Sequence, residues 1–180
     1  MRLLPLFLLL STLFYTSCNQ TQNQQVVTPI QADSLILNIH QFDGKSIETQ
    51  GTVAHVCGVN LQKMKLKTEN GEIIKVIPSD STETFDKSLT KKRVIIRGIA
   101  RETKLTRAEI EKTKQASKLL CHVDHTPCKD AEWIQRQEKL GHANTILERE
   151  YKKLMVKMKQ TGLDYISIVI IQADQIEVIE

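Results

Sequence analysis

The chain has 180 residues, 41% of them hydrophobic, 26% charged and 4% aromatic, with 7 Gly, 4 Pro and 4 Cys. This composition excludes a disulfide-dense mini-protein, a collagen-like rod and a glycine-rich low-complexity chain. Its 25 basic and 21 acidic residues leave a net charge of +4, too balanced for the basic footprint of a nucleic-acid-binding domain.

Arg2 is followed by an apolar run from Leu3 to Tyr15, shorter than the roughly 18 to 20 residues that span a bilayer as a helix. It reads as a signal peptide. The run ends in Thr16-Ser17 directly before Cys18, and this resembles the lipobox of bacterial lipoproteins. The resemblance implies that residues 1–17 are a signal peptide and that Cys18 becomes the lipidated N-terminus, several acyl chains holding the protein on a membrane where one binds only marginally. The alternative is a secretory signal cut near Ser17. Residues 18–33 then form the lipidated cysteine and a flexible tether, uncharged until Asp33. Surface-exported lipoproteins of the Bacteroidota resemble one another in carrying acidic residues soon after the cysteine. None follows here, so the expected address is the bacterial cell envelope, facing the periplasm.

The domain is expected over residues 34–180. Ser34 to His40 is a short helix or strand. Ile47 to Cys57 alternates and is broken by Gly51, which suggests a bend. Met64, Leu66 and Thr68 alternate with Lys63, Lys65 and Lys67, and Asn70-Gly71 turns the chain into a partner strand, Ile73 to Ile77. After a link over Phe85 to Leu89, Lys92 to Ala100 forms a fourth strand with Gly98 inside it. A helical insertion follows over about 105–162. Thr106 and Glu109 fit a capping box for a helix to about Leu120, Thr126-Pro127 opens a second helix to Leu140, and Leu147, Tyr151, Leu154 and Met158 make the apolar seam of a third that ends near Gly162. Tyr165 to Ile171 and Ile176 to Ile179 return as strands. This order predicts a mainly β fold with an α insertion, a small OB-fold-like Greek-key barrel carrying a helical lobe before its closing strands. The rival is an open antiparallel sheet beside a separate helical hairpin.

OB-folds often bind single-stranded nucleic acid by stacking bases on aromatic side chains. No Phe, Tyr or Trp lies between Ile47 and Ile77, and no nucleic-acid partner is expected. Lys63, Lys65 and Lys67 share a strand face that suits phosphate or simply solvent, and solvent is the plainer assignment. Two groups carry possible chemistry. His55 and Cys57 are two residues apart on a strand and share a face; with Met64 they offer imidazole, thiolate and thioether to a soft metal such as copper. The plainer alternative makes Met64 core, Cys57 a small hydrophobe or disulfide half, and His55 a half-exposed polar residue. Cys121, His122, His125 and Cys128 fall in eight residues between two predicted helices and suit either a disulfide stapling the turn or zinc or copper. Trp133 and Tyr151 read as helix-packing residues. There is no nucleophile elbow, phosphate loop, HExxH or Cys-x-x-Cys, so binding is favoured over catalysis.

Gly51 to Cys57, Lys63-Met64 and Val94 to Glu102 together resemble a group of uncharacterised extracytoplasmic proteins of the Bacteroidota, over about residues 44–180. The His-Val-Cys and Lys-Met pieces are the most recognisable. The resemblance implies an OB-fold domain with a charged helical insertion in the cell envelope, and no activity. The expectation is a lipid-anchored binding or interaction module, with soft-metal binding as its chemistry and the insertion as the surface for a protein partner. A thiol/disulfide redox protein and a purely structural envelope lipoprotein are the alternatives.

Overall fold

The computed structural model describes residues 26–57, 59–80, 83–121 and 125–179. The signal segment 1–17, Cys18, the first residues of the tether and His122 lie outside the described residues. Thr28–Pro29 (β1) pairs in parallel with Ile47 and Glu48, and two short helices follow, Ala32–Leu37 (α1) and Ile39–Phe42 (α2). Ala32, Leu35 and Ile39 are buried in the barrel core. This corrects the tether boundary: residues 28–33 belong to the domain, because the short strand and Ala32 have a sheet edge and apolar surface to dock on.

Five strands follow: Ser46–Val56 (β2), Met64–Lys67 (β3), Ile73–Pro78 (β4), Arg93–Thr106 (β5) and, after the helical lobe, Tyr165–Val178 (β6). The sheet runs β1-β2-β3-β4-β6-β5, and β5 returns to pair with β2 along Ser46–Thr52. The β4–β6 pairing is parallel and the other four barrel pairings are antiparallel. The sheet is therefore a closed OB-fold-like barrel, and the β2–β5 seam excludes the open-sheet rival. Alternation builds its interior. Ile47, Val53, Met64, Leu66, Ile74, Val76, Val94, Ile96 and Ile171 are fully buried on the inward face. Gly71 supplies the left-handed residue of the β3–β4 hairpin, with φ at 87°. At Gly98 the β5–β6 register slips: Arg97 opposes Gln175 while Gly98 opposes Ala173. Asp174 is thus an extra residue, and the backbones approach so closely that a Cβ on Gly98 would stand 2.0 Å from the Gln172 carbonyl oxygen. The two closing strands expected from the sequence are one strand carrying this bulge.

The lobe is inserted between β5 and β6, whose inner ends meet, Thr106 opposite Tyr165. Helix α3 (Arg107–Gln115) opens with the expected capping box: the Thr106 N–H donates to Glu109 Oε2 at 2.8 Å, and the Glu109 N–H donates to Thr106 Oγ1 at 3.3 Å. It ends before Leu120, because Ser117 turns left-handed at φ 51° and Leu120 pairs instead with Pro127 as an isolated antiparallel bridge. Helix α4 (Ala131–Lys139) starts at Asp130, whose Oδ1 accepts from the Trp133 N–H at 2.9 Å. Thr126 and Pro127 are committed to the bridge and do not cap it. Helix α5 (Ala143–Thr161) stops at Gly162, left-handed at φ 69°. Leu154 and Met158 bury with Ile110, Leu120 and Ile166 as a second, smaller core, and Tyr151 packs against it. Among the described residues no helix is long and apolar enough to cross a membrane.

Candidate functional site

The His-Val-Cys stretch reaches the surface through a β-bulge. Val53 opposes Leu66, His55 opposes Lys65 and Val56 opposes Met64, so β2 holds one residue more than β3 between these pairs. Val53 and Val56 stay buried while His55 is turned to the outer face, half-exposed; regular alternation would have given it the core side of Val53. Cys57 follows with its N–H donating to the Lys63 carbonyl at 2.8 Å. Met64 does not join them. Opposite Val56, it points inward and is fully buried among the barrel residues. The set His55, Cys57 and Met64 is thereby corrected to His55 and Cys57, because alternation sends the thioether to the other side of the sheet.

The second group arrives from the lobe. The Cys121 N–H donates to the Thr126 carbonyl and the Cys128 N–H to the Leu119 carbonyl, each at 2.7 Å, on either side of the Leu120–Pro127 bridge. Residues 119, 121, 126 and 128 consequently share one face of this small ladder. Cys121 and Cys128 both line a pocket of about 490 Å³ with His55, Cys57, Asp130 and Trp133. Two sequence groups, one in the barrel and one in the insertion, thus converge on one cavity. His125 does not enter it. It lines the neighbouring cleft beside Glu150, and adopts φ 56° in the turn.

Cys57, Cys121 and Cys128 are thiols in this structure, Cys121 buried and the other two partly so. Cys121 and Cys128 are diagonal rather than directly opposed, and diagonal neighbours in an antiparallel pair lie about 7–8 Å apart. Cysteines separated by more than about 7 Å between Cα atoms are not bridged without backbone movement. Among the described residues no three His, Cys, Asp or Glu side chains already form a metal-binding group, so the donors line the cavity without closing a coordination sphere. Burial, and then the Lys65 charge opposite it, hold the His55 pKa below the ordinary 6.5. Burial pushes Lys65 down as well, with Lys153 adding to the effect and Cys121 and Glu150 opposing it. The Asp130 carboxylate is engaged by the α4 amide.

Asp130 and Trp133 were not legible as pocket residues. Asp130 could have been found as an N-cap three residues before Trp133; Trp133 reaches the cavity only because α4 starts there. Tyr151 keeps its packing role, with Lys114 Nζ 4.2 Å from its ring centroid. A groove of about 890 Å³ along α5, bordered by Arg107, Met155 and Leu163, contains none of the metal or disulfide candidates. No protein-family model and no curated protein matches the chain.

Proposed function

We propose that this chain is a lipid-anchored protein of the bacterial envelope, held by Cys18 and facing the periplasm, that binds a soft metal ion, copper(I) or zinc, between its barrel and its helical lobe. The observation that supports it is the convergence of His55 and Cys57 with Cys121 and Cys128 on one cavity. Three thiolates and one imidazole suit zinc, and a thiolate-rich subset suits copper(I). A ligating imidazole must be neutral, and the burial and Lys65 charge that disfavour protonation of His55 serve that need. The lobe, which brings two of the donors, doubles as the surface for a protein partner. The resemblance to extracytoplasmic OB-fold proteins agrees with this address.

The second reading is thiol/disulfide exchange, favoured by the presence of three thiols at one cavity and opposed by the diagonal placement of Cys121 and Cys128. One experiment separates them. Residues 19–180 are purified anaerobically, loaded with reduced copper or zinc, and analysed for metal per chain by elemental mass spectrometry and for free thiols by alkylation. Trp133, the single tryptophan, lines the pocket and reports loading by its fluorescence. The expected result is about one equivalent of metal, lost in Cys57→Ser and in Cys121→Ser, with fluorescence responding in the wild type alone. Metal-free protein after loading sinks the proposal, and a missing pair of alkylatable thiols in the isolated protein favours the redox reading.

A further inference from the structure

Helix α5 buries one side, through Leu147, Leu154 and Met158, and leaves apolar surface open on another: Val156 is 47% exposed, and Leu163, just past the helix, 46%. The groove of about 890 Å³ runs along this open side. Its most buried lining is apolar, with Met158 at 1% exposure and Tyr151 and Met155 half-buried. Arg107, the first residue of α3, borders it with Nη1 4.0 Å from Met155 Sδ. From Glu148 to Lys159 the helix rises about 17 Å, roughly three turns. The charges around the groove are unequal. Glu148 is paired with Lys114 at 3.3 Å and Arg149 with Glu150 at 3.5 Å. Arg107, Lys152 and Lys159 have no carboxylate at ion-pair distance among the described residues, so the apolar surface is rimmed by three uncompensated cations.

We propose that this groove receives an acidic amphipathic helix of a partner protein, with its apolar face on Met155, Val156 and Leu163 and its carboxylates against Arg107, Lys152 and Lys159. An apolar groove about three turns long is the form of surface that takes the apolar stripe of a helix, and methionine side chains adapt to the shape laid on them. Charge selects among the occupants. A second copy docked groove to groove about a two-fold axis sets the same cations against each other. The chain's own tether, residues 19–25, carries no carboxylate. A bilayer is met by apolar side chains that project into it, whereas Met158 and its half-buried neighbours are recessed. The proposal rests on the reading of the lobe as a partner surface and is independent of metal binding, since no donor of the thiol pocket lines the groove.

The test titrates residues 19–180, stripped of metal with a chelator, into a fluorescent synthetic peptide of about 18 residues, long enough to hold a helix. Its leucines recur three and four apart, glutamate and glutamine fill the other face, and one leucine position carries a benzophenone for photo-crosslinking. A second peptide has lysine for glutamate. Saturable binding of the glutamate peptide is expected, about tenfold weaker in Val156→Asp and in the double variant Lys152→Glu, Lys159→Glu. Lys118→Glu, exposed on the lobe away from the groove, is expected to bind as the wild type does. The double variant is expected to bind the lysine peptide better than the wild type does, which also shows that it folds. Crosslinks should map by mass spectrometry to Met155 or Leu163. Absent binding, or equal affinity for the two peptides, overturns the proposal. Crosslinks elsewhere on the lobe overturn the groove and leave the lobe as a partner surface; crosslinks confined to the barrel remove both. Cosedimentation with phosphatidylglycerol vesicles without peptide binding, or a dimer in sedimentation velocity that Val156→Asp dissociates, gives the groove to a bilayer or a second copy and likewise overturns it.

Discussion

His55 on β2, Cys57 just past its end and Met64 on β3 show how one displaced side chain changes what a sequence pattern means. Met64 is a core residue, so Met64→Ala should cost about 2–5 kcal/mol in urea unfolding and leave metal stoichiometry unchanged, whereas Cys57→Ser should do the reverse. Gly98 is a stricter constraint. A methyl there would meet the Gln172 and Ala173 backbone, which cannot yield as a flexible side chain does, and Gly98→Ala should lose about 3 kcal/mol or more in the same assay. His55 gives a pH signature. Its folded pKa lies below the ordinary 6.5, so the unfolded chain takes up the proton first as pH falls. The stability due to neutral His55 is complete above 6.5 and is lost as pH falls towards the folded value. Urea unfolding followed through mildly acidic pH should show that slope in the wild type and a shallower one in His55→Gln. His55 and Cys57 line one pocket, and that they lie together was legible in their spacing. The exclusion of Met64 was not, because the bulge that turns His55 outward is a property of the β2–β3 register, which depends on a partner strand.

At the scale of elements, the β3–β4 hairpin and α3 follow from local chemistry: an Asn-Gly turn between alternating segments, and a threonine three residues before a glutamate. Thr106→Ala should therefore destabilise the lobe by about 1 kcal/mol, seen as earlier melting of α3 by circular dichroism. The hydrogen bonds from the Thr106 N–H and hydroxyl hold the Glu109 carboxyl below its usual range. The contribution of the charged carboxylate is full above the unfolded value and disappears as pH falls through the folded one, so the gap between wild type and variant should narrow in acid while the part due to the Glu109 N–H donating to Thr106 Oγ1 remains. The region from Leu119 to Asp130 departs from its local pattern for a physical reason. Thr126-Pro127 is a sound helix start in isolation, yet Leu120 needs burial in the lobe core, and the bridge that buries it commits Thr126 and Pro127. The helix start passes to Asp130, and the same bridge turns Cys121 and Cys128 to a common face.

At the scale of the molecule, strand order, glycine positions and the location of the insertion together sufficed to anticipate an OB-fold-like barrel. The joining of the two cysteine-bearing groups was invisible, since it depends on how the lobe packs against the barrel and no local pattern encodes that. Because Thr106 and Tyr165 are register partners, the lobe leaves and re-enters the barrel at a single point. Replacing residues 107–164 with a tight turn should leave a folded barrel, with its strand signal intact by circular dichroism, and abolish metal uptake. The arrangement also bears on how a bound ion would depart. With two of the proposed donors on the barrel and two on a lobe whose chain leaves and re-enters at that rung of the ladder, an ion bound by all four would be a latch, and the lobe would have to swing away before a chelator could take it. Metal release and amide hydrogen exchange along α4 should then follow one common rate, set by the opening of the lobe and independent of the chelator's strength.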